Sequence, residues 1–313
     1  MGGAHSRHHG VGGLLLLSVV LVAAAWAAGC DRKEPKQAPA GTVGVGVTIP
    51  PQADFVRRVG GQHVRVTILV QPGGNPHTYE PTPQQVTELA RVDVFFTIGV
   101  PFEKALLSRI EAVNPTMRVV DTGKGITLRS MSADELRAEA EHEQEHEHEG
   151  EGNMDPHTWL DPRNVKVMAK SIADALAGVD SAHQDEYAAN LAKFQAELDE
   201  LDAYIRARCK DLTSHDFMVY HPAFGYFAQA YGLRQVPIEL EGKEPSAQTL
   251  ASTIDFARSH GIKVVFVQRQ FSLRASQAVA EAIGGRVVPM DDLAESYIPN
   301  MKAMADAFAE TME

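Results

Sequence analysis

Residues 187–209 read YAANLAKFQAELDELDAYIRARC, and their apolar positions Tyr187, Leu191, Phe194, Leu198, Leu201, Ile205 and Cys209 fall at steps of four, three, four, three, four and four. That spacing lines one face of an α-helix. The pattern predicts a helix of roughly 28 residues, about 42 Å long at 1.5 Å rise per residue. A coiled-coil seam has the same period, but this one covers only about three heptads, the lower limit for that reading. The preferred reading is a single long helix laid along the elements on either side of it. Cys209 lies on its apolar face, a core position rather than a reactive one.

On the N-terminal side of this helix, Val43, Val45, Val47 and Ile49 alternate with small or polar residues, as do Val64, Val66, Ile68 and Val70. Period-two alternation predicts strands. Thr82 and Pro83 form an N-cap and first-turn pair before a helix over 84–90. The apolar run from Val92 to Val100 reads as a buried strand, and 117–120 as a shorter one. On the C-terminal side, 217–220, 236–238, 263–268 and 286–290 read as strands, separated by helices starting near Ser246 and Leu273. Strands spaced by helices imply βα units and parallel sheets. The fold class is therefore α/β: two lobes with mostly parallel sheets and flanking helices, joined by a long backbone helix. No sequence repeat is visible between the lobes. The expected division is a signal peptide at 1–29, a tether at 30–42, an N-terminal lobe at 43–179, a linking helix at 180–210 and a C-terminal lobe at 211–313.

The chain has 313 residues, 44% of them hydrophobic, enough for a sizeable core. Lysine and arginine number 29 against 41 acidic residues, a net charge of −12. Phosphate binding needs a basic face, so nucleic acid is excluded as a partner and a cationic ligand fits better. Arg7, the apolar run Val11 to Trp26 and the small residues Ala27, Ala28 and Gly29 before Cys30 read as an export signal. The small residues followed by cysteine resemble the lipobox of bacterial lipoproteins, which makes Cys30 the expected lipidation site and places the protein outside the cytoplasm, anchored to the membrane. No other stretch approaches the ~20 apolar residues of a membrane span. Cys209 is the one other cysteine, so the folded part holds no disulfide once Cys30 is acylated.

Four short segments suggest chemistry. His77 lies in Pro72-Gly-Gly-Asn-Pro-His77-Thr-Tyr-Glu-Pro81, and His157 in Asp155-Pro-His157-Thr-Trp-Leu-Asp-Pro162. In the first, glycine and proline pre-set a tight backbone around one imidazole, and in the second prolines bracket it. Tyr220-His221-Pro222 and Met290-Asp291-Asp292 each end a predicted strand, where open α/β sheets place their ligands.

Together with His221-Pro-Ala-Phe-Gly-Tyr-Phe-Ala-Gln-Ala-Tyr-Gly-Leu233, Glu241-Gly-Lys-Glu-Pro-Ser246 and Val287-Val-Pro-Met-Asp-Asp-Leu293, these segments resemble the zinc- and manganese-specific solute-binding proteins of bacterial ABC importers. The resemblance covers roughly 43–313. It implies metal held in a cleft between two α/β lobes by His77, His157, His221 and Asp291, a membrane permease as partner, and a monomer with no enzymatic activity. Gln268-Arg269-Gln270 stands where many members have Glu-Pro-Gln, and the C-lobe disulfide of some zinc-specific members has no cysteines here. Three neutral imidazoles and one carboxylate make a tetrahedral shell that suits Zn2+, whereas Mn2+ favours more oxygen donors. A closed shell also leaves no open position for catalysis. Free imidazole protonates near pH 6.5, so affinity is expected to fall below that pH.

Residues 139–151 hold seven glutamates with His142, His146 and His148, and resemble the His-rich loop of zinc-specific members, expected to bind metal weakly. Within them His142-Glu-Gln-Glu-His146 matches the metalloprotease pattern, but a run without apolar residues offers no helix face to bury. The readings left open by the residues are a zinc importer component, a manganese importer component, a surface adhesin or metal store, and a secreted zinc hydrolase.

Overall fold

A computed structural model describes residues 1–3, 41–132, 135, 154–239, 245–271 and 273–312. The export signal, Cys30 and the histidines at 142, 146 and 148 lie outside the described residues. Strands β1 (Val43–Val47), β2 (Val64–Ile68), β3 (Val94–Thr97) and β4 (Arg118–Asp121) form one sheet in the order β2-β1-β3-β4. Every pairing is parallel, with Val45 opposite both Val66 and Val94. Helices α1 (Pro50–Gly60), α2 (Pro83–Leu89) and α3 (Phe102–Val113) make the crossovers, and α4 (Pro162–Val179) follows them.

After α5 (Gln184–Cys209), strands β5 (Asp216–Val219), β6 (Arg234–Pro237), β7 (Val264–Gln268) and β8 (Arg286–Met290) form a second parallel sheet in the order β6-β5-β7-β8. Its helices are α6 (Gly225–Tyr231), α7 (Ala247–Ser259), α8 (Leu273–Ala282) and α9 (Tyr297–Thr311). The two sheets share one topology, a structural repeat without a visible sequence counterpart. In each, the order reverses beside the first strand, and ligands of such sheets collect beyond the strand C-termini at that point.

Local chemistry explains the helix starts. The Thr82 hydroxyl accepts from Gln85 N–H while the Gln85 side chain caps Thr82 N–H, a reciprocal box followed by Pro83 in the first turn. Asp161 caps α4 and Ser246 caps α7 in the same sense.

Helix α5 runs 26 residues, and Tyr187, Phe194, Leu198, Leu201, Ile205 and Cys209 are all buried. They pack on α1, α4 and α9. The result is one continuous hydrophobic cluster that includes Val47 and Phe55 of the first lobe, the α5 face, and Phe217, Phe266 and Phe308 of the second. Phe55 meets Tyr297 edge to face at 5.0 Å and Phe194 at 5.9 Å. Burying each such side chain contributes roughly 1.5–3 kcal/mol, so separating the lobes would expose a shared core. Among the described residues no helix is long and apolar enough to cross a membrane.

Candidate metal centre

The loop after β2 delivers His77. Asn75 Oδ1 accepts the His77 backbone N–H at 2.9 Å, a local turn that the flanking prolines stiffen. His157 precedes a 3-10 turn over Thr158–Leu160 that leads into α4. His221 follows β5, with its backbone clamped by Gln268: the Gln268 Oε1 accepts His221 N–H at 3.3 Å and its Nε2 donates to the His221 carbonyl at 2.7 Å.

These three imidazoles meet. The Nε2 of His157 lies 3.2 Å from Nε2 of His77 and 3.1 Å from Nε2 of His221. Two nitrogens bound about 2.05 Å from one tetrahedral zinc sit about 3.3 Å apart, so the rings already hold the spacing of ligands on a single ion.

Carboxylates fix the orientation of two rings. Asp155 Oδ1 accepts both the backbone N–H and the Nδ1–H of His157, at 2.9 and 2.8 Å. Glu239 Oε1 faces Nδ1 of His221 at 2.6 Å. With anionic acceptors on Nδ1, the proton resides there and the Nε2 lone pair points to the centre. Burial, reinforced by His221 and His157, pushes His77 down to about 2. Burial, then the neighbouring His157, holds His221 well below the usual imidazole range. Burial alone would raise Asp155, but its hydrogen bonds from His157 and the charge of Arg129 outweigh it and keep the carboxylate ionised. The Nε2 atoms of His157 and His221 thus face neutral His77 across one small cleft, an arrangement suited to a cation.

The walls are apolar and tight. Phe271 stacks on His221 at 4.9 Å, Trp159 tilts on His157 at 5.2 Å, and Trp159 Nε1 donates to the Asp292 carbonyl. Behind His157, Arg129 bridges Asp155 at 2.5 Å and Glu135 at 2.6 Å, and Gln235 of the second lobe donates to Glu135. Gly225 at the start of α6 is required there: a Cβ would overlap the Arg129 guanidinium and the Asp155 carboxylate.

Of the four residues expected around the metal, His77, His157 and His221 come together and Asp291 does not. Asp291 Oδ1 accepts Leu293 N–H at 3.0 Å, and its other oxygen lies 3.7 Å from Arg269, beside a separate cavity near Asn300 and Met304. The carboxylate lining the histidine cleft is Asp292, one residue on. It is 3% exposed and takes a hydrogen bond from Gln270 at 2.8 Å. Burial raises it to about 6, with Gln270 and His157 opposing that rise. Asp292, Glu239 and Arg129 were not among the sequence candidates. Asp292 stood next to one, while the 18-position separation of His221 and Glu239 hides their pairing.

A model of the family described as zinc-uptake complex component A, periplasmic (ZnuA), matches residues 45–311. The chain belongs to this family. Among ZnuA-family relatives, the high-affinity zinc uptake system protein ZnuA of Bacillus subtilis (strain 168) is 30% identical over 278 residues, covering 85% of this chain and 86% of that protein. A crystal structure of ZnuA is 39% identical with a TM-score of 0.78, covering 87% of this chain and 100% of that one. A zinc-bound ZnuA deletion mutant superposes with a TM-score of 0.77 at 39% identity, covering 87% and 98%. The two-lobed ZnuA fold, with its paired parallel sheets, is therefore the fold of this chain.

Proposed function

We infer that this ZnuA-family protein captures zinc outside the cytoplasm and delivers it to the membrane permease of an ABC importer. The observation that carries this reading is the convergence of three Nε2 atoms at 3.1 and 3.2 Å, drawn from both lobes. Nitrogen-rich donors favour zinc over manganese, which prefers oxygen. Zinc is cargo here: nothing in a four-donor shell calls for a substrate position, and the protein acts as the solute-binding component rather than as an enzyme.

The proposed ligands are His77, His157 and His221, with a carboxylate from the Asp291–Asp292 pair as fourth donor. Asp292 supports that role as it stands, since it lines the cleft; Asp291 would have to leave its bond to Leu293 N–H and swing inward. Acylation at Cys30 would hold a monomeric protein at the membrane surface beside its permease, with weak capture by His142, His146 and His148.

The test is zinc content and affinity of the purified full chain. Wild type is expected to hold one tight equivalent, and His77→Ala and His221→Ala to lose zinc-dependent thermal stabilisation. Unchanged stabilisation in both variants would overturn the two-lobe site. Asp292→Asn is expected to weaken zinc at least tenfold and Asp291→Asn less than threefold; the reverse order would assign the fourth donor to Asp291.

A further inference from the structure

Among the described residues a second group gathers three metal donors: His63, His183 and Glu186, each with one ligand atom within 4.8 Å of the others. His63 ends the 3-10 turn Gly61–His63 just before β2. His183 ends the turn Ser181–His183 and is the N-cap of α5, whose first turn carries Glu186. The first centre receives His77 from beyond the C-terminal end of β2, so the two groups lie at opposite ends of that strand.

The internal geometry repeats that of the first centre. His63 Nε2 faces Glu186 Oε2 at 2.9 Å, close to the about 3.3 Å separating two donors on one tetrahedral ion. Asp180 Oδ2 accepts from His183 Nδ1 at 2.7 Å and is itself held by the Tyr187 hydroxyl at 2.6 Å. An ionised carboxylate on Nδ1 leaves the lone pair on Nε2, the same carboxylate-to-imidazole relay that orients His157 and His221. The His63 and His183 rings stack 3.7 Å apart at 21°, so a small rotation of either ring turns its lone pair toward a shared ion. Side-chain exposure falls from 59% at Glu186 to 33% at His183 and 13% at His63, which makes the group a shallow surface site open on one side.

The start of α5 opposes a cation. The helix dipole there is worth about 0.3–1 kcal/mol at an exposed end, and the carboxylates of Asp180 and Glu186 supply two full charges against that partial one.

We propose that His63, His183 and Glu186 form a second, weaker site for a divalent transition metal of the zinc class. Two imidazoles and one carboxylate leave a fourth position for water, and the exposure of Glu186 and His183 keeps the site in contact with solvent. It is independent of the reading above, because no residue is shared with the first centre.

The test titrates the full chain lacking residues 139–151 with Co2+ and Zn2+, following the visible absorption of Co2+ and the stoichiometry by calorimetry. The parent is expected to take two equivalents, and His63→Ala/His183→Ala one, with the tight site intact. Asp180→Asn keeps all three donors and is expected to weaken the second equivalent ten- to a hundredfold, the usual effect of losing an orienting partner. His77→Ala/His221→Ala removes the other equivalent, so loss of either site reads out separately. Equal stoichiometry and equal Co2+ spectra in the parent and the His63→Ala/His183→Ala variant would overturn the proposal, as would an Asp180→Asn protein that binds the second equivalent as the parent does.

Discussion

Asp155→Asn isolates the contribution of charge behind a metal-facing imidazole. Asn has nearly the same shape and keeps an oxygen for the N–H and Nδ1–H of His157, now 2.9 and 2.8 Å from Asp155 Oδ1. What is lost is the negative charge that makes the ring a stronger donor and that pairs with Arg129. Orienting partners of this kind carry roughly ten- to a hundredfold in metal affinity, about 1.4–2.8 kcal/mol. Stability of the metal-free protein changes separately. Removing one member of a buried ion pair costs about 3–5 kcal/mol when the other is left uncompensated; here Arg129 keeps Glu135 at 2.6 Å, so the loss falls below that range. Competition for zinc against a fluorescent chelator at pH 7 gives the first quantity, and urea unfolding of the metal-free protein the second. A zinc affinity within twofold of wild type, with the fold intact, would refute the idea that the Asp155 charge tunes His157.

The pH response departs from the simple expectation that affinity fades below 6.5. His77 is held at about 2 and His221 well below its usual range, so these two imidazoles stay neutral in the folded site near pH 6, where Asp292 begins to take up a proton. The unfolded chain still takes up protons at about 6.5. Their stabilising contribution is thus complete above 6.5 and is lost as pH falls from 6.5 toward 2. Asp292, raised to about 6, and Glu103, raised to about 7 by burial, oppose this: each contributes below its unfolded value and loses that contribution as pH rises through 6 and 7 respectively. Between pH 7 and 5 the melting temperature of metal-free His77→Ala is expected to move upward relative to that of wild type, because the variant lacks one group that the unfolded chain protonates in this range; identical pH profiles would contradict the assignment. In the α5 core, Leu198→Ala is expected to cost about 2–5 kcal/mol and to lower a single urea transition for both lobes. Two separate transitions would contradict a shared core.

All eight strands were legible, because alternation and short apolar runs carry their own period. Helix α5 was legible from its seven-position stripe. Helices α1, α3, α6 and α9 were not singled out, although Pro50-Pro51 suits the first turn of α1. His77 and His157 were findable because proline-bracketed loops mark them, and His221 because it follows a strand end just before Pro222. The sequence singled out Asp291, while Asp292 lines the cleft, since strand-end geometry decides which of two adjacent carboxylates turns inward. Glu239 and the His63–His183 pairing were invisible because only the folded chain brings residues 18 and 120 apart together.

The pinning behind His157 also defines an insertion point. Ser130 and Met154 form an isolated antiparallel bridge, the Asp155 N–H bonds to the Arg129 carbonyl at 3.0 Å, and Tyr226 ties both from the second lobe. The chain between them therefore leaves and re-enters at one fastened doorway. A fluorescent reporter inserted directly before Met154 would lie one residue in sequence from the Asp155–His157 relay while leaving the three histidines in register, which turns the molecule into a scaffold for a genetically encoded zinc sensor.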